Sequence, residues 1–422
     1  MPVLLTLDIE KAAAGGRMLA RHRGQIVLVS GAIPGERVAA RPERRSKGVV
    51  FADVVDVLSP SPDRRAVMGD SRCGGNGFAH IAYARQLRLK GEIIQDAFGR
   101  IGRVSIDTVP EVIASPERGY RMRARLHVQE GRIGFYLEGT HQLCETTLTG
   151  QFLASTEEWI AAAQRTLVKN RLSGARAIEL AENVPGDERA CHVELASDVD
   201  PAPFAVLSDG LVGLSAQRAD RPDILRLAGV PAITDTIRVG AESSQVLRLR
   251  RDVRAFFQGN RFLLERLVRY VAELVPEGPV VDLYAGVGLF GLALAAAGRE
   301  SVAVVEGDPV SGASLAENAA AFGSRVQVAR RSVEAFLAAA APRSLSGAVV
   351  LVDPPRTGLS KEAVGGIIRL SPSRIVYVSC DAATLGRDAR TLIDAGYRLA
   401  HLAGIDLFPN TAHIETIAAF AR

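Results

Sequence analysis

Two short segments near the C-terminus hold residue types that do covalent chemistry. Val352-Asp353-Pro354-Pro355-Arg356-Thr357-Gly358-Leu359 reads as a buried strand ending in an acid and two prolines. Tyr377-Val378-Ser379-Cys380-Asp381 reads as a second strand delivering a lone cysteine to its carboxyl end. In an open α/β sheet that edge is where ligands bind. A thiol there, beside an acid and downstream of a glycine-rich turn, suits covalent catalysis on a substrate held next to a nucleotide-like cofactor. The commoner fate of a cysteine is that of a small buried hydrophobe. The strand-end position of Cys380 and its polar neighbours Ser379 and Asp381 argue against that fate here.

The glycine turn is Asp282-Leu283-Tyr284-Ala285-Gly286-Val287-Gly288-Leu289-Phe290-Gly291, which follows a strand and opens a helix. Gly286, Gly288 and Gly291 satisfy G-x-G-x-x-G, and Glu306 ends the next strand about 20 residues on. A nicotinamide-dependent oxidoreductase fits that spacing as well as a methyl-donor enzyme does. Two features favour S-adenosylmethionine. Asp282 in the strand-turn could meet the cofactor's amino group but would repel a pyrophosphate. The prolines after Asp353 stiffen the backbone and aim it at a substrate beside the sulfonium methyl.

The elements that must position these residues begin near residue 236. Expected strands at 280–284, 301–306, 325–328, 349–353 and 375–379 alternate with helical stretches, the pattern of a doubly wound, Rossmann-like α/β sheet over 236–422. Residues 1–60 read as a small β-barrel, with short β-rich runs at 4–9, 25–29, 36–40 and 49–58 separated by glycine turns. Arg17, Arg21, Arg23, Arg37, Arg41, Arg44, Arg45 and Lys47 crowd its turns, which suits a phosphate backbone as well as a solvated rim. The span 61–235 reads as a central α+β domain with a helix over 80–101. Within it, 121–128 alternates basic and apolar residues as a half-buried strand exposing Arg121, Arg123 and Arg125.

Composition bounds the rest. The 422 residues are 47% hydrophobic and 23% charged, enough for packed cores and unlike a disordered chain. Net charge is only +4, so any nucleic-acid surface is local. No apolar run approaches the roughly 18 residues of a membrane-spanning helix, and the N-terminus lacks a signal-peptide profile. Cysteines at 73, 144, 191 and 380 are too few and too scattered for a disulfide framework. The expectation is a cytoplasmic protein with reduced thiols, no membrane contact and no obligatory protein partner.

Taken together these segments resemble the RNA uracil-5-methyltransferases, which join a TRAM barrel to a class I methyltransferase domain. The likeness spans nearly the whole chain. It includes Ile33-Pro34-Gly35-Glu36, Cys73-Gly74-Gly75-Asn76, Phe257-Gln258-Gly259-Asn260, the 282–291 turn, Val305-Glu306 and Asn318-Ala319. It continues through 353–359, Val378-Ser379-Cys380-Asp381, Thr384-Leu385-Gly386-Arg387-Asp388 and Phe408-Pro409-Asn410-Thr411-Ala412-His413-Ile414-Glu415-Thr416. The last four groups in this order are strongly specific. The resemblance implies methylation of uridine at C5 in structured RNA, ribosomal sooner than transfer RNA. It implies Cys380 as nucleophile, Glu415 as base and Asp353 at the base edge. It also implies cofactor contacts from Gln258, Asp282, Tyr284, Gly286, Gly288, Leu289, Glu306, Glu334 and Asp353. The alternatives are the oxidoreductase and a catalytically idle RNA-binding module.

Uracil C5 is a poor nucleophile, and thiolate addition at C6 puts electron density on it. The proton left on C5 after methylation must then be removed by a base. A carboxylate at the base edge pairs with the N3 proton of uracil and faces a lone pair in cytosine, and leaving a buried polar group unpaired costs roughly 1–3 kcal/mol. Arg356 and Arg387 stabilise the thiolate or serve as packing ion pairs. Many relatives hold an iron–sulfur cluster with C-x5-C-G-G-C and one distant cysteine. Here Cys73 and Cys144 remain, Asn76 replaces a third ligand and Val67 sits near the place of the first, so no cluster is expected. Zinc on Cys73, His80, His141 and Cys144 lacks compact finger spacing.

Overall fold

The computed structural model describes residues 4–13, 15–67, 69–240, 245–341 and 343–422. Strands Leu5–Ala12, Met18–His22, Gln25–Ser30, Arg37–Ser46 and Val49–Ser59 close into a barrel in the order first, second, third, fifth, fourth. Met18–His22 is absent from the sequence expectation because its first three residues are all buried, which erases the alternation that marks a strand. Leu7, Ile9, Met18, Val27, Val29 and Val38 fill the barrel. Phe78, Ile81, Leu89 and Ile93 close one end. The far half of Arg37–Ser46 is exposed at every position from Arg41 on, so its arginines face solvent.

The middle of the chain builds a seven-stranded sheet in the order Ile224–Gly229, Gly213–Arg218, Arg189–Leu195, Ala175–Glu182, Arg123–Gln129, Arg132–Tyr136, Leu143–Cys144. Helix Ala154–Lys169 buries Trp159, Ile160, Ala163 and Leu167 against it. The row on Arg123–Gln129 meets acids on neighbouring strands. Arg123 pairs with Glu179 at 3.2 Å and Arg125 with Glu194 at 2.6 Å, so the row is not a bare cationic face. Neither acid is visible as a partner from sequence, because both lie more than fifty residues away along the chain.

One expectation is corrected in this region. Cys73 and Cys144 are joined by a disulfide across 71 residues of sequence. Cys73 bridges to Leu137, and Cys144 pairs with Phe135, so a hairpin brings the two sulfurs together. Their pairing also removes both from the zinc set considered above. His80 instead turns Nε2 to the Ala32 carbonyl at 3.1 Å.

The C-terminal sheet has eight strands, in the order Val326–Arg330, Val302–Glu306, Val280–Leu283, Val349–Val352, Arg374–Ser379, Glu415–Ala421, Arg398–Ile405, Val112–Ile113. The first five run parallel and Glu415–Ala421 runs antiparallel to its neighbours. Val280–Leu283 and Val349–Val352 are buried at every position because helices cover both faces. Leu264–Glu273, Leu289–Ala296 and Pro309–Ala319 pack on one side, and Val333–Ala339, Lys361–Leu370 and Ala382–Asp394 on the other. Strand order reverses between Val280–Leu283 and Val349–Val352, and the crevice beyond their carboxyl ends is where such sheets bind ligands.

Helix Tyr83–Ala97, continuing as a wider turn through Gly102, ties the parts together. Leu89 and Ile93 enter the barrel core, while Ile94 and Ala97 enter the core under the C-terminal sheet. A Cβ on Gly102 would stand 2.7 Å from the Gly386 carbonyl oxygen, so only glycine permits this approach to helix Ala382–Asp394. Val112–Ile113 then extends the C-terminal sheet, pairing parallel with Arg398–Ile405.

Candidate active site

Cys380 directly follows strand Arg374–Ser379 and precedes helix Ala382–Asp394. The turn is fixed locally. Asp381 caps the helix by accepting from the Thr384 amide at 2.8 Å, and the Ser379 hydroxyl accepts from the Asp381 amide at 3.2 Å. The thiol therefore leaves the sheet at a defined angle and is partly exposed. Cys191, the other free cysteine, is fully buried in the middle sheet.

Glu415 opens the antiparallel neighbour strand, in which Ser379 stands opposite Thr416. Cys380 follows Ser379 and Glu415 precedes Thr416, so both sit at the end of this ladder, where the charge of Glu415 reaches the thiol. Asp353 ends the next strand over, and its Oδ2 accepts from Gln258 Nε2 at 3.1 Å. Asp282 lies one strand beyond, fully buried, with Oδ2 accepting from the Gly291 amide at 2.7 Å. Four sequence-distant residues, Cys380, Glu415, Asp353 and Asp282, thus line up along the carboxyl edge of adjacent strands.

Burial dominates their electrostatics. It pushes Asp282 up to about 8, with the negative charges of Asp353 and Glu306 adding to the effect. Asp353 rises to about 7 for the same reason, relieved in part by Gln258. Glu415 is held well above the ordinary carboxylate range by burial and by Asp353, against the pull of Arg356. Cys380 is raised to about 11 by burial and by Glu415, while Arg356 lowers it. Asp282 and Glu415 are buried and Asp353 is half-buried, and Arg356 is the one cation that opposes the rise of Glu415 and Cys380.

The other expected cofactor residues gather at the same edge. Glu306 ends strand Val302–Glu306, and its two oxygens accept from the Gly286 amide at 2.7 Å and the Asp308 amide at 2.6 Å. Gly286 and Gly288 adopt positive φ of 58° and 102°, which lets the turn pass under a ligand and start the helix at Leu289. Glu334 accepts from the Ser360 hydroxyl at 2.8 Å, and its charge, after burial, pushes the Tyr284 hydroxyl up. Tyr284 and Glu334 line a cavity of about 640 Å³ together with Pro355 and Arg387. Arg387 pairs with Asp388 and donates to the carbonyls of Thr357 and Leu359, so it braces the loop after Asp353.

A second cavity, of about 720 Å³, opens over Cys380. Arg17 of the barrel, Arg72, Arg121 and Arg125 of the middle region, and Arg356 line it with the thiol. Gly286, Gly288 and Leu289 line neither of these two cavities. Asp282 Oδ1 is buried with no hydrogen-bond partner, an orphan acceptor at the turn. S-adenosylmethionine, which brings an ammonium and a sulfonium, fits an orphan carboxylate oxygen and a crevice of raised acids. The pyrophosphate of a dinucleotide does not.

Strand order, glycine turn and strand-end acids define a class I methyltransferase fold. The family described as tRNA (Uracil-5-)-methyltransferase matches residues 232–422. The chain is 32% identical to 23S rRNA (uracil(1939)-C(5))-methyltransferase RlmD of Pseudomonas putida, over 98% of this chain and 93% of that one. It is 34% identical to RlmD of Chromohalobacter salexigens, over 99% and 89%. The crystal structure of Pyrococcus abyssi tRNA (uracil-54, C5)-methyltransferase in complex with S-adenosyl-L-homocysteine matches with a TM-score of 0.79 over 99% of both chains, at 24% identity. The chain belongs to the S-adenosylmethionine-dependent RNA uracil-5-methyltransferases.

Sequence reasoning missed the buried polar cluster on the segment that leads to Glu415. Lys90 and Gln86 are fully buried on helix Tyr83–Ala97 and reach the 406–410 segment. The one available signal is their spacing, four residues apart on the helix face that also carries the apolar Leu89, Ile93 and Ile94.

Proposed function

We propose that the protein methylates C5 of a uridine in large-subunit ribosomal RNA, in the cytoplasm, without an obligatory protein partner or membrane contact. Its RlmD relatives act on 23S rRNA, and no helix among the described residues is long and apolar enough to cross a membrane. The observation that carries the chemistry is the pairing of Ser379 with Thr416, which leaves their chain neighbours Cys380 and Glu415 together at the end of that ladder, with Cys380 in an arginine-lined cavity.

Cys380 adds to C6 of the flipped-out base, and its electrons flow through C5 toward O4. Arg356, the one positive group that lowers the thiol, offsets the charge of the thiolate. Asp353 takes the N3 proton side of the ring, held in place by Gln258. Bound S-adenosylmethionine supplies the methyl group to C5. Gln258, Asp282, Tyr284, Gly286, Gly288, Leu289, Glu306, Glu334 and Asp353 form its cradle. Glu415 then removes the C5 proton, and burial keeps it basic enough for that step near neutral pH. Reaching both faces of the ring requires unstacking at a few kcal/mol, least in an RNA loop.

The test is methyl transfer from labelled S-adenosylmethionine to an unmethylated large-subunit rRNA transcript. Cys380→Ala abolishes transfer, while Glu415→Gln leaves protein covalently attached to RNA. Full activity of Cys380→Ala ends the mechanism, and activity only on a transfer RNA transcript ends the substrate reading.

A further inference from the structure

The loop of residues 406–413 lies between strands Arg398–Ile405 and Glu415–Ala421, and it sets where Glu415 enters the sheet. Helix Tyr83–Ala97, from a distant part of the chain, grips this loop at two points one helical turn apart. Gln86 makes a reciprocal pair with Asn410, donating from Nε2 to Asn410 Oδ1 and accepting the Asn410 amide at Oε1, each at 2.9 Å. Asn410 sits at φ 63°, a conformation that needs such support in a residue with a side chain. Lys90 donates from Nζ to Asp406 Oδ1 at 2.5 Å and to the Phe408 carbonyl at 3.1 Å. The Tyr83 hydroxyl donates to Asp406 Oδ2 at 3.1 Å.

Both charges of the Lys90–Asp406 pair are fully buried. A buried ion pair recovers little net stability over an apolar pair of the same volume, so stability alone does not account for it. Apolar packing would bury the same area without fixing direction, whereas two bonds from the helix to the Asp406 carboxylate and two between Gln86 and Asn410 fix the loop in register. The barrel approaches the loop as well: a Cβ on Gly16 would fall 2.2 Å from Ala412 Cβ.

We propose that Gln86 and Lys90 are positioning residues for the second half of the reaction, holding the 406–413 loop so that Glu415 faces the C5 proton. The inference rests on the reading of Glu415 as the base. In that half-reaction Glu415 takes the proton and the C5–H electron pair forms the C5–C6 double bond. The C6–sulfur bond breaks, returning its electrons to Cys380 as thiolate. Attack and methylation use Cys380, Arg356, Asp353 and the cofactor crevice; Gln86 and Lys90 bond to none of these residues, although the loop they hold borders the thiol cavity at 411–414.

The full-length protein is tested as Gln86→Met and as the neutral pair Lys90→Met/Asp406→Asn, with methyl-labelled S-adenosylmethionine and an unmethylated large-subunit rRNA transcript. Single-turnover labelling of RNA stays within about threefold of the parent, while steady-state turnover falls roughly 10- to 100-fold. Label then accumulates in a protein–RNA adduct that survives a denaturing gel. The proposal is overturned if labelling and turnover fall by the same factor, if neither falls, or if the variants lose cofactor binding, since the helix would then be scaffold only. Glu415→Gln run alongside separates the two readings. If it too releases product freely, the role of Glu415 has failed and takes the proposal with it. If only the brace variants release freely, the proposal alone has failed.

Discussion

At neutral pH a thiol raised to about 11 is almost wholly protonated, so the supply of Cys380 thiolate limits attack. The rate therefore climbs as pH rises from 6 to 9, and a flat profile across that range contradicts the assignment. Arg356 opposes the rise. Arg356→Met lowers single-turnover methylation about tenfold at pH 7.5, with part of the loss recovered at pH 9. An equal loss at both pH values shows that Arg356 acts by packing. The acids of the crevice bear on stability in the opposite sense. Asp353 is raised to about 7, so between its unfolded value near 4 and that pH the folded state binds more protons than the unfolded one. Its protonation thus favours folding at low pH, and that advantage is lost as pH climbs through 7. Asp353→Asn removes a charge that burial opposes. It abolishes turnover yet stabilises the cofactor-free protein at pH 8 by roughly 1–3 kcal/mol, read as a higher Tm. A lower Tm at pH 8 shows the carboxylate to be a net structural asset.

Each proposed catalytic group is set by the element that ends or begins at it. Cys380 is held by a strand end and a capped helix start, Asp353 by a strand end and two prolines, and Glu415 by the first position of a return strand. The loop carrying Cys73 to Gly75 faces the thiol cavity, and the disulfide to Cys144 pins it to the hairpin of the middle sheet. Closing a segment of 71 residues restricts the unfolded chain strongly. Cys144→Ser, or reduction, lowers stability by about 2–4 kcal/mol in denaturant melts. It also raises the KM for RNA with little change in the affinity for S-adenosylmethionine, because the freed loop borders the RNA side alone. Unchanged melting on reduction counts against a structural bridge.

Across the whole molecule, three parts meet over one thiol. Arg17 comes from the barrel, Arg72, Arg121 and Arg125 from the middle, and Arg356 from the C-terminal sheet. Arg125 is already matched by Glu194, whereas Arg44 and Arg45 stand on the exposed arm of the barrel. Arg44→Glu/Arg45→Glu therefore weakens RNA binding more than Arg125→Glu and flattens its salt dependence by about one unit of slope per lost phosphate contact. Equal weakening of cofactor binding marks the arm as structural. The sequence alone determined the five parallel strands, the glycine turn and the barrel, and it is the source of the proposal that Cys380, Asp353 and Glu415 serve one chemistry. Those features are local, written in short apolar runs, turn residues and strand-end positions. Only tertiary structure decided the Cys73–Cys144 bridge, the glutamates that answer Arg123 and Arg125, and the Gln86–Lys90 brace on the segment that leads to Glu415. These join residues tens to hundreds of positions apart, and the free energy of such a pairing depends on a burial and a register that no short window of residues contains.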